Sequence, residues 1–420
     1  MKTSQALKNV GFIKKCQICD NKELKLILDL GHQPIVQNYL TEKNLHEAEV
    51  TYPLCLVRCE KCELVQLNYI VDPKLVFPPQ YPYRTGLTNM LIRNFESLAE
   101  TLREEGQYEA DDLIVDIGSN DGTLLSSFKT RGMRVVGVEP TRAAQVANKN
   151  KIKTYEEFFN LSSAKKIVQK HGKAKIVTAT NVFAHINDTP GLIRAVKTLM
   201  DKESVFVSES QYLADIVEKL EFDTIYHEHL RFYSLKPLMY LAQKAGMSIV
   251  DAYRITAAGG SIRVFMKIGK HTPSKRVMEI LKEEERLGLY DTKSLRAFGE
   301  RVISAKNDLV ALLLKIKKEG ATIAGISSAA RSNTLLGFSK INTHLVSYAG
   351  EKNGSPKIGL YTPGTHIPVL DEKVIFEKQP EYALVLSWHI GEELMKLYRK
   401  LGYKGKFIMP LPTAKIIKNI

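Results

Sequence analysis

At 420 residues the chain is too long for one ordinary core and predicts two or three domains. Its 44% hydrophobic and 25% charged content excludes a disordered or fibrous chain, no apolar run reaches the roughly 20 residues of a membrane helix, and Met1 to Lys15 lacks the continuous apolar core of a secretory signal, so a cytoplasmic protein with no membrane partner is expected. The formal charge of +14 comes from lysines scattered singly or in pairs, which fits a solvated surface with local sites for anionic substrates better than a nucleic-acid-binding arm.

All five cysteines lie within the first 62 residues, an odd number crowded at one end rather than spread as a disulfide framework would be. Cys16-Gln-Ile-Cys19 and Cys59-Glu-Lys-Cys62 are paired knuckles. Two residues between cysteines let a tight turn present both sulfurs to one ion, and two such turns supply the four thiolates of a tetrahedral zinc site. Four sulfurs close the coordination sphere, so this metal builds structure and leaves no open position for chemistry. Cys55 falls out of phase with the knuckles and reads as a buried apolar residue.

The run Leu113-Ile-Val-Asp-Ile117 predicts a buried parallel strand, followed by the turn Gly118-Ser-Asn-Asp-Gly122 and a helix over Thr123–Lys129. Gly118 and Gly122 let the backbone approach a ligand where strand becomes helix. The next strand, Arg134-Val-Val-Gly-Val138, ends on Glu139, where a carboxylate can accept hydrogen bonds from both ribose hydroxyls of a nucleoside. The turn is not the Gly-x-Gly-x-x-Gly of a dinucleotide site; it carries Asp116 on the strand, then Asn120 and Asp121. Carboxylates repel a pyrophosphate but suit the cationic sulfonium and amino group of S-adenosylmethionine. The stretch resembles the first motif of class I methyltransferases. A further strand, Ala174-Lys-Ile-Val-Thr-Ala179, leads into Asn181-Val-Phe-Ala-His-Ile-Asn-Asp188 and puts Asn181 and His185 at a carboxyl end, where ligands bind in open α/β sheets.

Beyond it, Tyr226, His227, Glu228, His229 and Tyr233 crowd into a single segment. His-x-His with an intervening Glu is no specific metal signature, but an imidazole oriented by carboxylate or phenol neighbours suits a general base. Residues 274–318 read as charged and helical; Ala321-Thr-Ile-Ala-Gly-Ile326, Tyr382-Ala-Leu-Val-Leu-Ser387 and Lys406-Phe-Ile-Met409 then predict a second doubly wound sheet.

The two cysteine pairs, Asp-Ile-Gly-Ser-Asn-Asp-Gly122, Tyr226-His-Glu-His-Leu230 and Pro363-Gly-Thr-His-Ile-Pro-Val369 together resemble, in this order, the sugar C-methyltransferases that build branched deoxysugars. The resemblance spans essentially the whole chain. It implies an α/β protein of three parts: a zinc-binding module at 1–75, a class I (Rossmann-like) S-adenosylmethionine domain at 76–270, and a second Rossmann-like domain at 271–420 that shares in binding the sugar nucleotide. It implies a monomer whose partner is a small molecule, a 4-keto-deoxysugar linked to dTDP or another nucleoside diphosphate. A base takes the proton beside the ketone and the resulting enolate attacks the methyl group, at C-3. His229 matches the family's base; Tyr226, Glu228 and His185 match residues of the same pocket, and Tyr81 or Tyr83 its aromatic stretch. Pro363, Thr365 and His366 match the later motif. Two segments depart from the family: Ala330-Arg-Ser-Asn-Thr334 stands for Ala-Lys-Gly-Asn-Thr, and Ala258 stands for the His before Gly259-Gly-Ser261. Both fall at expected substrate contacts, Arg331, Asn333, Gly260 and Ser261.

Three alternatives stand beside this reading. One is methylation at C-5. A nucleic-acid methyltransferase using the zinc module as platform would want an Asn/Asp-Pro-Pro-Tyr/Phe motif or a catalytic cysteine, and Asn181-Val-Phe-Ala184 stands at the motif's place. A non-catalytic protein that only binds the methyl donor would not need the His/Tyr cluster.

Overall fold

The apolar runs become buried strands. In the computed structural model, which describes residues 10–79, 81, 85–87 and 89–418, Leu113–Ile117 and Ile176–Thr180 are buried along their whole length. They are neighbours at the centre of a seven-stranded sheet whose spatial order is Met247–Ile255, Ser261–Ile268, Val205–Gln211, Ile176–Thr180, Leu113–Ile117, Arg134–Val138, Thr154–Tyr155. Ser261–Ile268 runs antiparallel to both its neighbours and the remaining pairs are parallel. In a parallel sheet the loops after the strands gather at one edge, and that edge carries the site.

A second α/β sheet, ordered Val369–Asp371, Ala349–Glu351, Ile323–Ile326, Tyr382–Val385, Lys406–Met409, Lys415–Ile417, is parallel except for its last strand. The N-terminal module is an antiparallel sheet of Leu24–Gln33, Tyr52–Cys59 and Val65–Leu67, and its fourth strand is Arg231–Phe232, drawn from just after His229. The fold is thus α/β with two Rossmann-like sheets and an N-terminal cysteine module.

The 274–318 stretch forms two helices, Lys275–Arg286 and Thr292–Lys318. The second opens on Asp291, which accepts from the Ser294 N–H at 2.7 Å, and closes on Lys315, Lys317 and Lys318, cations suited to its negative end. Gly299 lets this helix press on the N-terminal module, since a Cβ there would lie 2.6 Å from the Ile27 carbonyl oxygen. One buried apolar cluster runs through all three parts, from Leu56 through Val115 to Leu384. Among the described residues no helix is long and apolar enough to cross a membrane.

Candidate active site

Cys16, Cys19, Cys59 and Cys62 are buried with their sulfurs within 4.8 Å of one another; Cys16 and Cys62 stand 3.5 Å apart, Cys19 and Cys59 3.4 Å. Zn–S bonds of about 2.3 Å place tetrahedral sulfurs roughly 3.8 Å apart, so the donor set fits zinc. The Ile18 and Lys61 N–H groups donate to the Cys16 and Cys59 sulfurs at 3.5 and 3.4 Å, as suits thiolates. Cys55 is only half-buried, because its thiol turns to Asp29 Oδ1 at 3.1 Å, which corrects its expected place in the core.

At the carboxyl edge of the central sheet a cavity of about 1130 Å³ reaches from the S-adenosylmethionine motif to the second sheet. Asp116, Gly118, Asn120, Glu139 and Asn181 line one end. Asp116 accepts from Thr178 Oγ1 at 2.6 Å, and burial pushes its carboxyl up to about 7. Glu139 is aimed by three donors: the Thr141 N–H at 2.9 Å and hydroxyl at 2.5 Å on Oε1, and the Asn120 N–H at 3.1 Å on Oε2. Asn181 takes a left-handed conformation (φ 56°), with its N–H on the Glu209 carbonyl at 2.7 Å. Asp121 and Gly122 do not reach this cavity. The Asp121 carboxylate accepts from Thr123 Oγ1 at 2.6 Å and the Gly86 N–H at 2.9 Å, and Gly122 is the left-handed N-cap of the helix Thr123–Lys129. In this structure the two residues support the turn, where the helix start draws the acid to its unpaired N–H groups.

Toward the cavity's middle His185, Tyr226, Glu228, His229 and Tyr81 converge. His229 Nδ1 lies 2.6 Å from the Thr224 carbonyl oxygen. A carbonyl only accepts, so the proton sits on Nδ1 and Nε2 keeps its lone pair. Burial lowers the His229 imidazole to about 4, so it is neutral near pH 7. Its ring lies 4.1 Å from that of Tyr226, tilted by 37°, and meets His185 edge-on at 4.9 Å; burial holds His185 well below its ordinary value, helped by His229 and Arg231. Glu228 Oε2 accepts from the Tyr81 hydroxyl at 2.7 Å, while Oε1 is buried with no hydrogen-bond partner among the described residues. Burial pushes Glu228 up to about 7. His227 faces away, 3.2 Å from the Pro53 carbonyl oxygen. Tyr83 lies outside the described residues.

The far wall comes from the second sheet: Ser327, Ala329, Glu351, Lys357, Ser387 and His389. The N-terminus of the ten-residue helix Ala330–Ser339 opens on it. Sequence reasoning missed these residues. Glu351 ends the second strand of its sheet, and the rule that singled out Glu139 would have found it. Arg331 reaches the wall, but its guanidinium is held by Asp223 in a two-point pair (2.8 and 2.7 Å) and by Glu221 at 3.2 Å.

Six other residues expected at the substrate lie outside the cavity lining, each with partners within the protein. Asn333 donates to the Val36 carbonyl at 2.7 Å. Gly260 fits against Asp215, whose Cγ would lie 2.1 Å from an added Cβ, and the Ser261 hydroxyl bonds the Ala257 carbonyl at 3.0 Å. Pro363 is buried, Thr365 bonds Thr362 at 2.7 Å, and His366 meets Glu49 of the N-terminal module at 3.3 Å, beside two Gly364 N–H bonds to the same carboxylate.

Three family models match the chain: a zinc binding domain at residues 16–77, a methyltransferase domain at 87–252, and a C-methyltransferase C-terminal domain at 256–412. The strand Ser261–Ile268 of the central sheet falls within the last of these spans. The C-methyltransferase NovU of Streptomyces niveus is 29% identical over 409 residues, covering 96% of this chain and 97% of its own. Magnesium protoporphyrin IX methyltransferase (ChlM) of Synechocystis PCC 6803 is 15% identical, covering 43% of this chain and 84% of its own at a TM-score of 0.35. An S-adenosylmethionine-dependent methyltransferase of Clostridium acetobutylicum is 13% identical, covering 42% and 92% at a TM-score of 0.34.

Proposed function

Because the chain belongs to the S-adenosylmethionine-dependent C-methyltransferases and carries a zinc-binding module, we propose that it methylates a nucleotide-linked 4-keto-deoxysugar, with dTDP as the nucleotide, at C-3 beside the ketone. The observation that carries this reading is His229: a neutral imidazole, its proton fixed on Nδ1, among the residues that line a cavity shared by both Rossmann-like sheets. A ketone acidifies the carbon beside it, so a neutral base and a group that steadies the enolate oxygen suffice to open the reaction.

Each part of the site then has a role. When bound, S-adenosylmethionine supplies an electrophilic methyl group; zinc supplies a structural cross-link. Glu139 holds the ribose of the methyl donor, and Asp116, Gly118, Asn120 and Asn181 wall the same end. His229 Nε2 takes the proton at C-3. Glu228, raised to about 7 by burial and so protonated below that pH, donates from Oε1 to the ketone oxygen as it gains charge, with Tyr81 fixing the other carboxyl oxygen. Tyr226 and His185 hold the imidazole plane. The diphosphate lies against the N-terminus of Ala330–Ser339 and the Lys357 ammonium, and Glu351 accepts from the nucleoside ribose.

The test separates proton removal from methyl transfer. With a dTDP-4-keto-deoxyhexose in deuterated water and no methyl donor, the wild-type protein should exchange the C-3 proton. His229→Ala should bind both substrates and lose exchange and methylation together, by about 10²–10⁴ in rate. If exchange survives in that variant, another group is the base. NMR of the product that places the new methyl on C-5 rejects the position.

A further inference from the structure

Behind His185 and His229 lies Arg231, 1% exposed. A buried guanidinium is costly unless its donors are all satisfied, and it normally takes a carboxylate. Among the described residues Arg231 has no acidic partner; it is held by neutral oxygens instead. Its Nε donates to the Tyr233 hydroxyl at 3.0 Å and Nη1 to Gln17 Oε1 at 2.5 Å, while Nη2 donates to the Ile186 carbonyl and, at 3.4 Å, to that of Phe183.

These partners join segments far apart in the chain. Phe183 and Ile186 flank His185. Gln17 lies inside the first cysteine knuckle, between Cys16 and Cys19. Its Nε2 reaches the Leu67 and Leu230 carbonyls at 3.4 Å, and its backbone N–H donates to Gln66 Oε1 at 2.9 Å. Leu230 follows His229 directly and donates its N–H to the Ala184 carbonyl at 3.1 Å. Arg231 itself pairs with Gln66 in the sheet of the N-terminal module. The side chain of Gln17 can point at Arg231 only while the turn Cys16–Cys19 keeps its shape, and that shape is the one a metal holding both sulfurs imposes.

We propose that the first zinc knuckle positions the active site: through Gln17 it holds Arg231, and through Arg231 it fixes the two backbone segments that aim His185 and His229 into the cavity. Gln17 and Arg231 are positioning residues and touch no substrate. The inference rests on His229 as the base, and the zinc module gains a part in catalysis without lending a ligand position to it.

Gln17→Ala leaves the four thiolates untouched. We expect it to keep one zinc per chain, to bind S-adenosylmethionine as the wild type does, and to change the KM for a dTDP-4-keto-deoxyhexose by no more than about twofold. Its kcat and its C-3 proton exchange should fall together by about 10–100-fold, the loss a small misplacement of a reacting group brings. Backbone amides of 183–186 and 229–233 should exchange faster by mass spectrometry. Gln17→Glu keeps the acceptor for Arg231 and should recover kcat to within about threefold of the wild type. Unchanged kcat and amide protection in Gln17→Ala overturn the proposal, as does a loss of zinc and of S-adenosylmethionine affinity in proportion to kcat. Should Gln17→Ala not fold, Arg231→Lys, which keeps the charge but not the planar fork, is judged by the same outcomes. His229→Ala run in parallel keeps the two ideas apart: exchange surviving there removes the base assignment, while the amide protection of 229–233 in Gln17→Ala still decides the knuckle's part.

Discussion

Two side chains one residue apart are driven in opposite senses by the same cause. Burial disfavours charge, so it lowers the His229 imidazole to about 4 and raises the Glu228 carboxyl to about 7. Between about pH 4 and 7 the pair is thus a neutral base beside a neutral acid, the combination an enolate needs. As pH falls through about 4, His229 gains a proton and loses its lone pair; as pH rises through about 7, Glu228 loses the proton it would donate and puts a negative charge beside the developing oxyanion. The kcat profile should therefore rise on the acid side with His229 and fall near pH 7 with Glu228. Glu228→Gln, which keeps an N–H donor and cannot ionise, should abolish the fall near pH 7 and leave the acid limb in place. A fall near pH 7 that persists in Glu228→Gln assigns it to another group.

At the scale of the element, the turn after the strand Leu113–Ile117 decides where the cofactor end of the cavity sits. Gly118 has φ 69°, and a Cβ there would lie 2.3 Å from Val182 Cγ2. Gly172 has φ 88° with nothing within 4 Å of such a Cβ, so it carries the backbone cost alone. A left-handed non-glycine residue costs about 1–3 kcal/mol, and Gly118→Ala adds a clash to it. It should lower the thermal midpoint more than Gly172→Ala and weaken S-adenosylmethionine binding, which Gly172→Ala should leave alone. Equal midpoints, or unchanged calorimetric affinity in Gly118→Ala, would show that the turn relaxes without cost. This element is legible in the amino-acid sequence: Leu113–Ile117 and Arg134–Val138 are apolar runs and Thr123–Lys129 a helix, set off by Gly118, Gly122 and Gly132, and their limits in the fold coincide with those the residue pattern predicts. The knuckles are legible from spacing alone. Arg231–Phe232 is not, because two residues paired to a strand distant in the chain leave no periodicity. The Pro363–Val369 motif is ambiguous for another reason. A fixed string of polar residues looks the same whether it holds a ligand or, as His366 and Gly364 do with Glu49, another part of the protein. Lys357, in a turn, and His389, in the short 3-10 helix Trp388–Ile390, gain meaning only when the second sheet's order brings them to the cavity.

For the whole molecule, the shared cavity exists only while the second sheet stays docked on the central one, and one buried ionic cluster spans that contact. Arg331, on the helix Ala330–Ser339, pairs with Asp223 at two points and with Glu221, just ahead of the His229 segment, and Trp388 Nε1 donates to Asp223 Oδ2 at 2.8 Å. Cutting the guanidinium away leaves Asp223 buried without its two-point partner and Glu221 with only the Lys219 ammonium nearby, and breaking a buried pair from one side costs about 3–5 kcal/mol. Trp388 is the chain's only tryptophan, so its fluorescence reports this contact directly. Arg331→Met should shift the Trp388 transition in urea to lower concentration, ahead of the loss of helix measured by circular dichroism, because the second domain undocks before the sheets melt. The double variant Arg331→Met with Asp223→Asn removes one stranded charge and should regain part of the loss. Coincident fluorescence and helix transitions in Arg331→Met, at the wild-type midpoint, would mean that apolar packing holds the two sheets together and the cluster adds nothing to it.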